Sequence, residues 1–274
     1  KQNKCEKNLM KNVLFLVIIL LSNSMKADDF PKIFGCFCEG GLITGKVKKN
    51  DELEVDNKKI EIFDEGVFIY AFGRKYNDSV SISHNGKKRK FKVLNKKYKI
   101  ENIKGLPQKK VDPSKDDLLK IKSDRSKINK SKKMGKKQKL FSDQFILPVN
   151  GRLSGFFGSQ RILNSKPRSP HNGIDIAQKE GAPIISPSKG VVKLVSKNMF
   201  FTGNTVILDH GLGLISIFAH MKEIFVREGQ QLDLGDLVGE VGMSGRATGP
   251  HLHWGVYLLN KPVDPLSLVE SSFF

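Results

Sequence analysis

Cysteine and long apolar runs are both scarce in this chain. The first shortage argues against a disulfide-rich protein or a cysteine-based zinc site, and the second argues against a membrane-spanning helix. Only three of the 274 residues are cysteine, and their spacing matches neither a disulfide framework nor a cysteine-based zinc site. Cys5 stands alone, whereas Cys36 and Cys38 form a C-x-C that can pair internally, pair with a partner or stay reduced. The longest apolar run, residues 13–21, is less than half of the roughly 20 residues that a membrane-spanning helix needs. The length allows one or two globular domains.

Acidic residues are fewer than basic ones, and almost all of the difference lies in the first half of the chain. The net charge is +19. Residues 141–274 carry 12 Lys and Arg against 11 Asp and Glu, whereas residues 1–140 carry 35 against 17. A strongly basic half predicts an anionic partner, such as nucleic acid, anionic lipid or an acidic cell-wall polymer. The Lys-rich and Asn-rich composition of an AT-rich genome explains the same excess, and both interpretations stay open.

The N-terminus has the features of an export signal. Several lysines precede the apolar run, and small or polar residues follow it as far as Ala27. We therefore predict a signal peptide over residues 1–27 and a location in the periplasm or cell envelope. Because the cleavage-site match at Ala27 is poor, an uncleaved membrane anchor over residues 11–21 is the alternative.

Residues 28–107 are predicted to form a small β-sandwich. Short β-rich runs alternate with turn residues, and Asn85-Gly86 between two such runs predicts a two-residue type I′ hairpin. The predicted strands cover residues 42–47, 53–55, 60–63, 67–72, 80–83, 91–94 and 98–103.

The rest of the chain divides into a lysine-rich segment and an apolar one. In residues 108–140 an Asp-Pro start and a weak apolar stripe from Leu118 to Ile128 predict a partly helical, otherwise solvated linker. Residues 141–274 are glycine-rich with short strand-like runs and no long helical period, which predicts an all-β domain. Its clearest runs are residues 174–177, 191–195, 205–209, 214–219, 237–241 and 251–259.

Two clusters of metal-ligand residue types lie in this last domain. His171 and Asp175 form H-x-x-x-D, in which Asp175 alternates with apolar neighbours, so its carboxylate faces away from them and needs a partner. His251 and His253 form H-x-H, which places both imidazoles on one face of a strand. A catalytic zinc ion takes three protein ligands, nitrogen or carboxylate oxygen, and leaves its fourth position for water, so all four residues are possible ligands of one zinc ion.

The remaining histidines carry less information. His220 ends another apolar run; such a residue is more often structural, but the neighbouring clusters make it a candidate for proton transfer or oxyanion stabilisation. His210 is expected to be a structural turn residue and His84 to be exposed. The H-E-x-x-H motif is absent, so a histidine, His251 or His220, must supply the base.

The order H-x-x-x-D, A-H and H-x-H, together with longer segments, resembles one family. Residues 141–267 are similar to the catalytic domain of the LytM/lysostaphin zinc metallopeptidases, which are peptidoglycan endopeptidases. Residues 40–106 resemble, more loosely, the small N-terminal domain of Gram-negative members. The similar segments are SGFFGSQR, SPHNGIDIAQKEGAPIISPSKGVV, GNTVILDHGLGLISIFAHM, VREGQQLDLGDLVGEVGMSGRATGPHLHWGV and KPVDP.

The resemblance implies a role for each candidate residue and an all-β fold with an open groove. It implies that one zinc ion is bound by His171, Asp175 and His253. The implied catalytic pair is His220 and His251. Phe218 stands where the family often has a tyrosine, two residues before the middle histidine, and no tyrosine is evident near His171.

These features fit three functional hypotheses. The first is a zinc-dependent endopeptidase that hydrolyses peptide cross-links of peptidoglycan, with zinc-activated water as nucleophile and His220 and His251 assisting. The second is an inactive regulator of the same family that activates another cell-wall hydrolase; it is disfavoured because no candidate residue is missing. The third, a nucleic-acid-binding module, is disfavoured by the export signal. Expected partners are peptidoglycan, a regulatory protein and an anionic envelope surface contacted by the basic half, and no specific nucleic acid.

Overall fold

The computed structural model of the chain describes residues 30–133, 135–141 and 143–273. The signal peptide or anchor predicted within residues 1–27, and Cys5, lie outside these ranges. From Pro31 onward the chain forms one compact unit. This unit consists mostly of β-strands, which confirms the all-β class. In the described ranges no helix has both the length and the apolar character needed to cross a bilayer.

The N-terminal strands form two small antiparallel sheets. These strands are β1 (Ile33–Gly35), β2 (Leu42–Lys46), β3 (Leu53–Val55), β4 (Lys58–Lys59), β5 (Val67–Ala71), β6 (Ser79–His84) and β7 (Lys87–Lys92). Their order is β1-β2-β5 in one sheet and β4-β3-β6-β7 in the other. Phe37 stacks on Phe91 with ring centroids 4.8 Å apart and lies 5.7 Å from Phe72, so aromatic rings join the two sheets. Beside this contact, Cys36 and Cys38 form an internal disulfide.

One predicted turn is confirmed here and one predicted strand is wrong. Strands β6 and β7 pair across Asn85 and Gly86, whose φ angles of 48° and 81° are those that a type I′ turn requires. Residues 60–63, predicted as a strand, belong to no strand and form a connection. The reason is a second tight turn at Asp56 and Asn57, with φ of 49° and 61°, which reverses the chain early, so residues 58–59 pair with β3 instead.

Two helices occupy the lysine-rich segment. They are α1 (Gln108–Val111) and α2 (Lys115–Ser131). Helix α2 begins at a capping box: the Ser114 hydroxyl accepts the Asp117 N–H, and the Asp117 carboxylate accepts the Ser114 N–H, each at 3.2 Å. The helix is docked, because its Asp124 is buried and accepts the N–H of Phe200 at 2.8 Å.

The C-terminal half builds one long sheet with smaller pairs beside it. Its elements are β9 (Arg152–Gly155), β10 (Gln160–Leu163), β11 (Lys166–Pro167), β12 (Ile174–Ala177), β13 (Pro183–Ile185), β14 (Gly190–Met199), β15 (Gly203–Asp209), β16 (Leu214–Met221), β17 (Gln231–Leu232), β18 (Leu237–Glu240), β19 (His251–Leu258), β20 (Lys261–Val263) and α3 (Pro265–Val269). The long sheet has the order β17-β14-β15-β16-β19-β12-β9, with β20 also paired to β19.

The central strands of this sheet are covered on both faces, which explains their nearly uninterrupted apolar sequence. On one face, Val206, Phe218 and Trp254 are part of the main hydrophobic core. On the other face, Ile207 and Ile217 form a second cluster against which Ile128 of α2 packs. Alternate residues of a strand therefore point either to the core face or to the helix face of the sheet.

One strand of the N-terminal half pairs with the C-terminal half. Strand β8 (Ile100–Ile103) runs parallel to β10, with Ile100 opposite Gln160, and β10 also pairs with β11. Through this pairing Glu101 accepts the N–H of Phe156 at 3.0 Å and contacts the guanidinium of Arg161 at 3.3 Å. Residues before the helices thus contribute a charged group to the C-terminal half.

We expect Asp124→Ala to destabilise the protein by about 2 kcal/mol, because a buried hydrogen bond to a charged group is lost. Helix α2 should also exchange its amide hydrogens faster, since its anchor to Phe200 is removed. Chemical denaturation and hydrogen exchange measure the two effects. Ser123→Ala, an exposed neighbour on the same helix, is the control; equal stability of the two variants would contradict the docking role of Asp124.

Candidate active site and metal centre

The antiparallel pairing of β12 with β19 brings two predicted ligands face to face. Asp175 lies directly opposite His253. Their chain neighbours Ile174 and Leu252 are fully buried on the core face. Because side chains alternate along a strand, Asp175, His253 and the earlier His251 project together from the helix face.

His171 reaches the same point from the loop between β11 and β12. Its N–H donates to the carbonyl of Ser159 at 2.9 Å, and its own carbonyl accepts the N–H of Gly158 at 2.8 Å. Gly173 then passes so close to the carbonyl of Trp254 that a Cβ atom would collide with it. The small residue therefore lets this loop lie against β19, where His171 meets His253.

Three side-chain atoms form a compact triangle suited to a metal ion. His171 Nε2 lies 3.0 Å from His253 Nδ1 and 3.1 Å from Asp175 Oδ1, and His253 Nδ1 lies 2.8 Å from the same oxygen. Ligands of a tetrahedral zinc ion at 2.0–2.1 Å are separated by about 3.3 Å. The triangle needs to open by only a few tenths of an ångström, so these three residues fit zinc in both donor type and spacing.

Neighbouring groups orient these ligands. His171 Nδ1 lies 3.1 Å from the carbonyl of Phe156, and the tautomer that donates its hydrogen to this carbonyl presents an unprotonated Nε2 to a metal. The second carboxylate oxygen of Asp175 binds the guanidinium of Arg161, which Glu101 contacts from the other side. One carboxylate oxygen of Asp175 is thus held by an arginine while the other faces the two imidazoles.

A β-bulge turns His220 toward the triangle. Phe218, two residues earlier, is fully buried on the core face, so regular alternation would bury His220 there as well. The register of β15 with β16 shifts between Asn204 and Val206, and His220 has a left-handed φ of 63°. Because a bulge inserts one extra residue and re-aims the side chain, His220 faces the site instead of the core.

The His220 and His251 rings lie side by side, with centroids 4.8 Å apart. Each ring donates its Nδ1 hydrogen to a backbone carbonyl at 2.8 Å, His220 to Ser244 and His251 to Gly249. This leaves Nε2 of each ring as the nitrogen available for proton transfer. His251 Nε2 lies 3.9 Å from Asp175 Oδ1, at the margin of the ligand triangle.

The five predicted site residues therefore meet in one place. They line two adjoining cavities of about 680 and 350 Å³, which share His220 and Arg246 in their walls. We call these cavities together the groove. One wall comes from α2 and the residues before it, and another from β8 and β10.

Comparison with known proteins identifies the domain that carries this groove. Residues 169–265 match the profile of Peptidase family M23. The chain carries a peptidase family M23 domain. The family resemblance expected from the sequence is thereby confirmed.

The M23 domain is similar to domains of other bacterial proteins. Peptidoglycan DD-endopeptidase ShyA of Vibrio cholerae is 34% identical over 116 residues, which are 42% of this chain and 27% of that protein. The lipoprotein NlpD/LppB homolog of Pseudomonas aeruginosa is 35% identical over 119 residues, 43% of this chain and 37% of that protein. The chain thus spans well under half the length of either relative.

A solved structure resembles more than the M23 domain. A crystal structure from Pseudomonas aeruginosa assigned to peptidase M23 superposes with a TM-score of 0.60 and 27% identity, over 85% of this chain and 94% of that one. Because the match covers more of the chain than the C-terminal half contains, it includes the N-terminal sheets.

Burial controls the charge state of the M23 site. It lowers the pKa of His253 to about 4 and, with the nearby charges of His251 and His253, the pKa of His220 to about 3. Burial alone would raise the pKa of Asp175, but hydrogen bonds to His171 and His253 outweigh it and hold that pKa well below its ordinary value. At neutral pH Asp175 is thus a carboxylate and His253 an uncharged imidazole, which are the protonation states that metal binding requires of these two residues.

The two histidines expected to lie outside the site do so, but only one matches its expected environment. His210 is fully buried: its Nδ1 donates to the Lys189 carbonyl, and its Nε2 accepts from the Ser216 hydroxyl, both at 2.8 Å. It is a structural residue of the core. His84 was expected to be exposed, which is wrong, because its ring packs against Asp51 with Nε2 2.8 Å from the carboxylate.

The sequence reasoning missed a tyrosine in the groove of the M23 domain. Tyr257 lines the same cavity as His171 and His253, is 8% exposed and contacts Asn172. Burial raises its pKa to about 12. The signal was present, since Tyr257 follows His253 by four residues on one strand and therefore shares its face.

The burial of His210 predicts a pH-dependent stability. Burial lowers the pKa of His210 from 6.5 to about 4, so between these pH values the unfolded chain binds a proton that the folded chain does not. This contribution to stability is complete above pH 6.5 and is lost as the pH falls toward 4, by roughly 3 kcal/mol. When the free energy of unfolding is measured by denaturation between pH 7 and pH 4, it should decrease less for His210→Gln than for the wild type. Parallel curves for the two proteins would rule out this assignment.

Proposed function

We propose that this chain is a zinc-dependent endopeptidase that hydrolyses peptide cross-links of peptidoglycan. The observation that carries the proposal is the triangle of ligand atoms, 2.8–3.1 Å apart, beside two further imidazoles in one groove. The M23 domain and the name of the Vibrio cholerae relative, a peptidoglycan DD-endopeptidase, support the substrate.

Each of the five site residues has a place in this reaction. His171, Asp175 and His253 would hold the ion, which when bound acidifies water and polarises the scissile carbonyl. His251, with its Nε2 at the margin of the triangle, is placed to take a proton from the attacking water. The leaving amine can then receive this proton from His251, either directly or through the neighbouring His220, whose Nε2 is free to accept it because its Nδ1 hydrogen is donated to the Ser244 carbonyl.

The proposal is tested by digesting isolated sacculi with the zinc-loaded chain and identifying the products by mass spectrometry. We expect the wild type to convert cross-linked muropeptides into monomers. His251→Ala should slow this reaction by about 100-fold or more, because general base catalysis is lost. A chelator should abolish it. His84→Ala, which changes a histidine in the N-terminal half, should leave the rate unchanged.

Zinc content, measured on the same samples, distinguishes the proposed metal ligands from the proposed catalytic base. His251→Ala should retain about one zinc per chain, whereas Asp175→Ala should lose both zinc and activity, since catalytic zinc has three protein ligands. A different outcome is that the wild type holds zinc and releases nothing from sacculi that another hydrolase does digest. That result would contradict the endopeptidase and favour the inactive regulator.

We also propose that residues 28–107 and 108–140 position the catalytic domain, residues 141–274, on an anionic envelope surface. Strand β7 exposes several lysines, Lys88, Lys90 and Lys92 among them. The names of the relatives, a peptidoglycan enzyme and a lipoprotein homolog, support an envelope location, as does the Cys36–Cys38 disulfide, since disulfides persist in oxidising compartments.

Binding to sacculi tests this second proposal, using His251→Ala protein so that the sacculi stay intact. Cosedimentation should weaken several-fold when Lys88 and Lys90 are both changed to Glu, and should fall with added salt because exposed charges are screened. Changing Lys179 and Lys197, exposed lysines of the catalytic domain, to Glu alters the net charge equally. Equal loss in both double variants would count against a specific role of β7.

A further inference from the structure

Arginines from separate elements line the groove beside the proposed metal site. They are Arg125 of α2, Arg161 of β10, Arg168 after β11 and Arg246 in the loop before β19. Arg125 is exposed to solvent, whereas the other three are at least partly buried. A concentration of desolvated cations is unfavourable unless carboxylates or other anions face them.

Two of the buried arginines have such partners within the protein. Arg161 binds Asp175 and contacts Glu101 at 3.3 Å. Arg168 lies 3.8 Å from the carboxylate of Asp112 and donates to the carbonyl of Val111 at 2.8 Å. Their charges are therefore compensated by side chains that the fold itself supplies.

Arg246 has no such partner. Its guanidinium lies over the Phe201 ring, 4.2 Å from the centroid, and donates one long hydrogen bond of 3.5 Å to the Lys110 carbonyl. Across residues 30–133, 135–141 and 143–273 no carboxylate pairs with it. Burial, reinforced by the charges of Arg161 and Arg168, lowers its pKa to about 10. Arg246 is thus still charged at neutral pH, with N–H donors left over.

The loop that carries Arg246 is firmly held next to the catalytic histidines. The N–H of Arg246 donates to the Phe201 carbonyl at 2.8 Å. Two residues earlier, the Ser244 hydroxyl donates to the Met221 carbonyl at 2.7 Å, while the Ser244 carbonyl accepts from His220. The same loop therefore fixes both the arginine and the orientation of His220, so a group bound by Arg246 lies close to the reacting bond.

We propose that Arg246 binds a free carboxylate of the substrate peptide, close to the bond that is cut. This inference rests on the proposed endopeptidase function and deepens it, because it makes an anionic peptide the substrate class. A guanidinium matches a carboxylate with two parallel hydrogen bonds, and its stacking on Phe201 leaves the edge of the planar group free for them. Arg246 is thus a specificity-determining residue.

The test pairs a substrate change with a residue change. The substrates are cross-linked muropeptide dimers with their carboxylates either free or converted to methyl amides. For the wild type, amidation should raise KM about tenfold, equal to about 1.4 kcal/mol, with kcat within about twofold. Arg246→Gln should show the same increase with the free substrate and no further increase on amidation. Arg246→Lys should recover part of the preference, and Arg227→Gln, an exposed arginine outside the groove, should behave like the wild type.

Every result decides between the alternatives. If Arg246→Gln weakens cleavage equally for both substrates, the arginine does not recognise the carboxylate and the inference is overturned. If the wild type cleaves neither substrate, the proposed function fails, and calorimetric binding of the same two dimers to zinc-loaded protein then tests the arginine alone. A preference for the free carboxylate that disappears in Arg246→Gln would uphold the inference, and equal binding of both dimers by the wild type would overturn it.

Discussion

The register between β12 and β19 is the constraint on which the rest of the site depends. It sets Asp175 opposite His253 and places His251 on the same face. A slip of one residue would turn Asp175 into the core and replace it with an isoleucine. The core face prevents such a slip, because Ile174 and Leu252 are fully buried there. Hydrophobic packing on one side of the sheet thus fixes the position of polar chemistry on the other.

The groove exists because the helix face of the sheet is covered only in part. Helix α2 packs on Ile207 and Ile217 and is anchored by Asp124, and a cavity separates it from the histidines. The segment that reads as a solvated lysine-rich linker therefore shapes the space into which a peptide would enter. The cations that line this space come from elements far apart in sequence, so only the folded chain brings them together.

Local patterns predicted much of this structure. Alternation of apolar and polar residues predicted that Asp175 faces away from its apolar neighbours, and the H-x-H spacing predicted that His251 and His253 share one face of a strand; the pairing of the two strands then brings all three to one face of the sheet. The position of His220 could not be predicted this way, because it depends on a bulge whose register is set by the partner strand β15. The contact of Glu101 with Arg161 depends on a parallel pairing between distant segments. Patterns of neighbouring residues carry no information about either of these long-range registers.

The parallel pairing of β8 with β10 has a consequence for how the chain can be divided. Strand β10 lies between β11 and β8. If the residues before the helices were removed, β8 would be lost, and the backbone N–H and C=O groups along one side of β10 would face water. Such an open strand is a template for pairing with another molecule. By pairing with β10, strand β8 leaves the C-terminal half with one exposed sheet edge fewer at which another molecule could add a strand.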